Sequence, residues 1–184
     1  MQDRPRLYSV ALSDPGGHPP NEDALYSCER EIAPEKLATY GRLYAVADGT
    51  GGQGGGKTAS TRALEIVAEN YYDQPGQDPA TDLTAAVQAA HTFLYRMAND
   101  TPNWRDMSTT FVGAVIQDDR LYVAHVGDSR AYLVRQGKTQ PLTEDHIWQE
   151  DDEQYGALIR WVGGSANPDV QVDLSLQTLK DGDV

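Results

Sequence analysis

Four strand-like stretches follow one another late in the chain: Thr109 to Ile116, Leu121 to Val126, Ala131 to Arg135 and Thr139 to Leu142. The links Gln117-Asp118-Asp119-Arg120 and Gln136-Gly137-Lys138 are hairpin turns by composition and length, and Gly127-Asp128 breaks the Leu121 to Val134 run into what reads as a further hairpin. Such short connections leave room only for antiparallel neighbours. Any fold built on alternating strands and helices around a parallel sheet is therefore disfavoured.

Earlier segments add helices to this sheet. Leu7 to Ser13, Ala24 to Ser27 and Leu43 to Ala47 read as strands. A helix is expected from about Lys57 to Tyr72 and a second near Thr81 to Ala98, divided by the turn-rich Asp73 to Pro79. Leu83, Val87, Ala90, Leu94 and Met97 recur at helical spacing and form a core stripe. Pro34-Glu35-Lys36 and Pro102-Asn103-Trp104-Arg105 read as loop punctuation. The pattern predicts an α+β fold, an antiparallel β-sandwich flanked by helices. With 184 residues, 39% of them hydrophobic, and no repeat or linker, residues 1–184 are expected to form one domain.

The chemistry concentrates where Leu43 to Ala47 meets Asp48-Gly49 and a glycine-crowded loop ending at Gly56. A carboxylate followed by residues without side chains leaves backbone that a cation or a phosphate can approach closely. Two readings compete. Gly51 to Thr58 spells G-x-x-x-x-G-K-T, the pattern of a nucleotide-binding P-loop, in which Lys57 would neutralise phosphates and Thr58 hold magnesium. That mechanism has no use for Asp48. The other reading joins Asp48 to Glu22 and Asp23 of Asn21-Glu22-Asp23, a concentration of negative charge suited to magnesium or manganese; its bland counterpart is a solvated acidic loop.

Taken in order, Asn21-Glu22-Asp23, Val46-Ala47-Asp48-Gly49, Met107-Ser108-Thr109-Thr110 and Val126-Gly127-Asp128-Ser129-Arg130-Ala131 resemble the metal-dependent serine/threonine protein phosphatases of the PPM (type 2C-like) family. Leu142-Thr143-Glu144-Asp145-His146, Asn167-Pro168-Asp169 and Leu179 to Asp183 extend the likeness from about Ser13 to the last residue. The resemblance implies an α-β-β-α sandwich and hydrolysis of phosphoserine or phosphothreonine in proteins, opposing a cognate kinase. It implies two Mn²⁺ or Mg²⁺ ions, with a third possible, that lower the pKa of a shared water and clamp the phosphoryl group. Asp48 would bridge the ions and the Gly49 carbonyl would ligate one of them. Glu22 and Asp23 would act mostly through bound waters, and Asp128 would ligate the weaker third ion, although Asp-Ser between strands is also ordinary turn chemistry. Arg130 is expected to pair with a carboxylate rather than meet substrate, Thr109 and Thr110 to pack and hydrogen-bond beside the site, and His125 to be a hydrogen-bonded structural residue.

Three departures from the family pattern stand out. His18 takes the place, five residues before Asp23, of an arginine that grips the substrate phosphate. It offers at most one donor to a given oxygen and is charged only below its pKa of ~6.5, so substrate affinity should be weaker or pH-dependent. Neither Thr50 nor Gln53 supplies the histidine often found in the loop, and general-acid help of that kind is worth ~10²- to 10⁴-fold. Finally, the chain stops at Asp181-Gly182-Asp183-Val184, before the family's last two metal-ligating aspartates, as either a fragment or a shortened member. These departures support an alternative: a pseudophosphatase or binding module that recognises a phosphoprotein without turnover.

Charge and composition narrow the partners. Lys and Arg total 15 against 28 Asp and Glu, a formal charge of −13, which disfavours nucleic acid and anionic membranes. No apolar run reaches the ~18 residues of a membrane helix, no signal-peptide core follows Met1, and a cytoplasmic location is expected. The single cysteine, Cys28, cannot form an internal disulfide and is expected to pack as a small, partly buried thiol. Glu150-Asp151-Asp152-Glu153 reads as a solvated face bordering the site.

Overall fold

In a computed structural model of the chain, residues 7–17, 20–73, 76, 78–148 and 157–184 are described. A seven-stranded antiparallel sheet organises them. Strand β1 (Asp23–Ser27) pairs with β2 (Arg42–Thr50) along one edge. The other edge of β2 is taken by β3 (Ser108–Thr109) and β4 (Phe111–Gln117). The sheet continues through β5 (Arg120–Val126), with further strands described below. The register of β3 and β4 against β2 is continuous, so Thr110, between them, lies opposite Asp48.

Between β1 and β2 lies α1 (Pro34–Tyr40), a two-turn helix with proline at its first position, where its missing N–H costs nothing. Pro34-Glu35-Lys36 is thus the start of a helix and not loop punctuation, since proline is tolerated in the first turn. Helices α2 (Gly55–Asp73) and α3 (Pro79–Asp100) then pack side by side on one sheet face. Ala59, Ala63, Leu64 and Val67 of α2 join Leu83, Val87, Ala90 and Leu94 of α3 against Leu43, Ala45, Ala47, Phe111 and Val115. The expected α3 stripe is there, with Met97 at its margin and His91 added to it. The ring of His91 is buried; its Nδ1 accepts the Gly163 N–H at 3.1 Å, and its Nε2 lies 3.1 Å from the Asn167 carbonyl. A histidine on an apolar stripe is invisible to periodicity, and here it ties residues 163–167 to α3.

Asp78 starts α3 by accepting hydrogen bonds from Ala80 N–H at 3.0 Å and Thr81 N–H at 3.2 Å. Asp78→Ala is expected to cost ~1 kcal/mol. For a chain of this size that lowers the melting temperature by about 2–4 °C; an unchanged melt would contradict the cap.

On the opposite face, Val112, Leu121 and Val123 are covered by the hairpin of β6 (Tyr132–Arg135) and β7 (Lys138–Pro141), with Ala131, Leu142 and Leu179 alongside. Val134 and Val184 exchange both backbone hydrogen bonds. β8 (Ile147–Trp148) and β9 (Ala157–Leu158) form a second small ladder. β10 (Val162–Gly163) pairs with β3, and β11 (Asp173–Thr178) pairs with β5 to extend the main sheet. The layers are therefore helix, large sheet and small sheet; no further helical layer occurs among the described residues.

Three strand expectations change. Leu7 to Ser13 forms no strand: Tyr8, Val10 and Leu12 are exposed, and an alternating pattern without a neighbouring strand has no ladder to join. β5 and β6 do not form a hairpin with each other; the chain leaves the large sheet at Gly127 and enters the small one. β2 runs on through Asp48 and Gly49 to Thr50 instead of ending at Ala47, because Thr109 and Ser108 supply ladder partners there.

Candidate metal centre

Strand register sets the site. On the face away from α2 and α3, Asp23 lies directly across from Asp48. Thr110 flanks Asp48 on its other side, and Gly127 continues the same row. Each end of this row is fixed by polar contacts. The Asp48 N–H donates to Thr110 Oγ1 at 2.9 Å; the Asp48 carbonyl accepts from Thr110 N–H and Thr109 Oγ1, both at 2.9 Å. Thr110 Oγ1 is also 2.6 Å from Ser129 Oγ, which ties the turn carrying Asp128 to the strand carrying Asp48.

Asn21 shapes the other side. Its Oδ1 accepts the Asp23 N–H at 2.9 Å, its Nδ2 donates to Ser13 Oγ at 2.8 Å, and Ser60 of α2 donates its hydroxyl to the Glu22 carbonyl. The α2 N-terminus meets Gly49 at such close range that a Cβ there would stand 2.0 Å from the Gly56 carbonyl oxygen. A Cβ at Gly56 would stand 2.6 Å from Glu22 Oε2. The glycines thus let a helix N-terminus, whose dipole favours negative charge, approach the acidic loop.

Electrostatics shows that the carboxylates converge. Burial pushes the Asp48 carboxyl up to about 6, with added repulsion from Asp23, which also shares a hydrogen bond with it, and from Asp128 and Glu22. The candidate residues Glu22, Asp23, Asp48, Gly49 and Asp128 therefore come together. His18 and the Glu150 to Glu153 run lie outside the described residues. No three His, Cys, Asp or Glu side chains among the described residues stand close enough to enclose one ion by themselves. Direct donors are thus few, a carboxylate at Asp48 and a carbonyl at Gly49 amid surplus negative charge, and that donor set fits hard cations that keep most of their waters.

The P-loop reading of Gly51 to Thr58 does not survive. Lys57 Nζ donates to the Asp23 carbonyl at 2.7 Å, Thr58 Oγ1 donates back to the Gly54 carbonyl at 3.1 Å within the helix start, and every sheet pairing is antiparallel. Lys57 instead fastens the start of β1 to α2, a role no motif signalled. Arg130 follows expectation: its guanidinium forks onto both oxygens of Asp145. His125 follows it only in part: its buried ring nitrogens make no hydrogen bond of full geometry among the described residues, and the Ser129 backbone is the hydrogen-bonding group that acts on it. Its ring packs against that of His146, tilted by 39° with centroids 4.6 Å apart. Cys28 is fully rather than partly buried, and burial raises its thiol pKa, which suits an inert thiol.

A pH dependence follows from Asp48. Its carboxyl is raised in the fold from an ordinary 3.8 to about 6, so the folded, metal-free protein binds a proton in that window that the unfolded chain does not. The Asp48 contribution to stability is therefore fully present below about 4 and lost as pH rises through about 6. Melting temperature against pH should show this loss relative to Asp48→Asn, in which it is absent; parallel curves would contradict the convergence.

The model of the family described as protein phosphatase 2C matches residues 16–155. The serine/threonine protein phosphatase PstP of Mycobacterium tuberculosis is 34% identical over 125 residues, covering 68% of this chain and 22% of PstP. Probable protein phosphatase 2C 55 of Oryza sativa is 31% identical over 144 residues, covering 76% of this chain and 35% of its own length. This chain thus spans about a fifth to a third of these relatives. The catalytic domain of PstP in complex with two manganese ions superposes with a TM-score of 0.70 at 27% identity, covering 98% of this chain and 71% of that one.

Proposed function

The chain belongs to the protein phosphatase 2C family, and from that premise we propose that residues 1–184 act as a metal-dependent phosphatase domain on phosphoserine or phosphothreonine in proteins. The observation that carries this is the register that sets Asp23 opposite Asp48, with Asp128 and Glu22 near enough to add their repulsion to the burial that raises the Asp48 carboxyl. A relative solved with two manganese ions supports Mn²⁺ or Mg²⁺ as the ions. When bound, they supply Lewis acidity and lower the pKa of water.

The chain's own residues do the rest. Asp48 and the Gly49 carbonyl would hold the ions, Glu22 and Asp23 would add their negative charge behind them, and Asp128 would provide a further carboxylate. Thr109 and Thr110 lock the Asp48 backbone so that its carboxylate stays aimed. Arg130 is occupied by Asp145 and leaves phosphate binding to other groups, with His18 in that role. The partners proposed are phosphoproteins and, through them, a kinase pathway, in the cytoplasm and away from nucleic acid and membranes. No helix among the described residues is long and apolar enough to cross a membrane.

Phosphate release from a phosphothreonine peptide with manganese and with chelator tests this: turnover only with metal supports it, and metal-independent turnover overturns it. A second reading, a binding module without turnover, is favoured by Gln53, which has φ +56° in the loop and no acid–base group. It expects phosphopeptide binding that survives Asp48→Ala while no phosphate is released.

A further inference from the structure

We propose that His146 is a positioning residue for the Asp128 carboxylate, acting through the backbone of Gly127. This rests on the reading of Asp128 as a metal ligand. Gly127 precedes Asp128 at φ +111°, and a Cβ there would meet Thr110 Cγ2 at 2.7 Å. Glycine fits that position but does not fix its own conformation, so the aim of Asp128 depends on what holds residue 127. A single residue holds both its backbone groups. The His146 N–H donates to the Gly127 carbonyl at 2.8 Å, and the Gly127 N–H donates to His146 Nδ1 at 3.1 Å.

The second bond fixes the imidazole chemistry. An amide can only donate, so Nδ1 must be the acceptor and the ring proton sits on Nε2. That nitrogen lies 3.0 Å from Asp173 Oδ2, to which it donates, and 3.2 Å from Arg160 Nη1, itself a donor whose acceptor is Asp173 Oδ1 at 2.9 Å. The ring is 5% exposed and packs against the His125 ring, tilted by 39° with centroids 4.6 Å apart. The imidazole is therefore held at both nitrogens and on one face.

Asp145 and His146 grip the Asp128 turn from both sides. The Asp145 hold is the weaker, because Arg130 is 56% exposed and solvent-facing ion pairs contribute little. The His146 hold is buried, and removing it would leave the Gly127 N–H without its acceptor. Two residues along the chain from Gly127, the Ser129 hydroxyl bonds Thr110 Oγ1, which in turn accepts the Asp48 N–H.

Manganese binding to the metal-free protein, followed by calorimetry and electron paramagnetic resonance, tests this, with Asp128→Asn identifying the ion that depends on Asp128. His146→Ala should weaken that ion ~10- to 100-fold, as loss of a partner behind a metal ligand typically does, and leave the Asp48-dependent ion unchanged. His146→Asn places an amide oxygen near the former Nδ1 and should restore affinity; a merely structural role would not be rescued. In the metal-free protein, the Gly127 amide proton resonance should shift in His146→Ala and return in His146→Asn. An unchanged affinity in His146→Ala, equal loss in both variants, or an unmoved Gly127 amide overturns the proposal. Should His146→Ala fail to fold, Asp173→Asn keeps the imidazole and should weaken the same ion; no change there overturns it as well. If the parent protein takes up no manganese, the reading of Asp128 as a ligand fails, and the Gly127 amide alone decides whether His146 holds the turn.

Discussion

Asp48→Asn is expected to lower manganese-dependent phosphate release by at least ~10³-fold, because partners behind a ligand are already worth ~10- to 100-fold and Asp48 is the ligand itself. The substitution is nearly isosteric. The backbone bonds from Asp48 to Thr109 and Thr110 do not involve its side chain and remain. What disappears is one negative charge from the cluster formed with Asp23, Asp128 and Glu22. The metal-free variant should therefore be more stable than the parent at neutral pH while being less active. A destabilised fold lowers both quantities, so the opposite signs distinguish a lost ligand from a damaged structure. Activity within tenfold of the parent would remove Asp48 from the chemistry.

Gly49→Ala should destabilise the protein by ~3 kcal/mol or more, at or above the usual range for overpacking. The new methyl would stand 2.0 Å from the Gly56 carbonyl oxygen, 2.5 Å from its carbonyl carbon and 2.9 Å from the Glu22 carbonyl oxygen. All three are backbone atoms, so no side chain can swing away. Either β2 or the start of α2 must move, and both carry the site. A fall in melting temperature of roughly 6–12 °C and loss of manganese binding are expected together. Gly52→Ala is the matched control in the same loop, where a Cβ meets nothing within 4 Å, and it should behave as the parent. Equal behaviour of the two variants would refute the close approach.

The candidate site residues were easier to read in the sequence than the residues that support them. Asp48-Gly49 and Asn21-Glu22-Asp23 were legible because a carboxylate at a strand tip before a glycine-rich loop, together with adjacent upstream carboxylates, forms an ordered motif set, and the register brings Asp23 opposite Asp48. Helices α2 and α3 were legible from periodicity, each within two residues of its expected ends. The residues that aim the site were not. Ser129, Ser60 and Lys57 act through contacts 19 to 38 positions away in sequence, and nothing local marks them. His146 was noted only as part of a motif, since its bond to the Gly127 N–H exists only once the chain crosses between sheets. β11 was readable in principle, because Leu174 and Leu176 alternate with Asp173, Ser175 and Gln177, but its polar content hid the strand until pairing with β5 was seen.

The central claim is that cations sit against Asp48 and Gly49. Anomalous diffraction at the manganese edge, from crystals grown with manganese, tests it most directly. The account predicts manganese peaks in contact with the Asp48 carboxylate and the Gly49 carbonyl oxygen, with Asp128 beside a weaker one. Manganese bound only elsewhere, with the Asp48 carboxylate touching none, would contradict it.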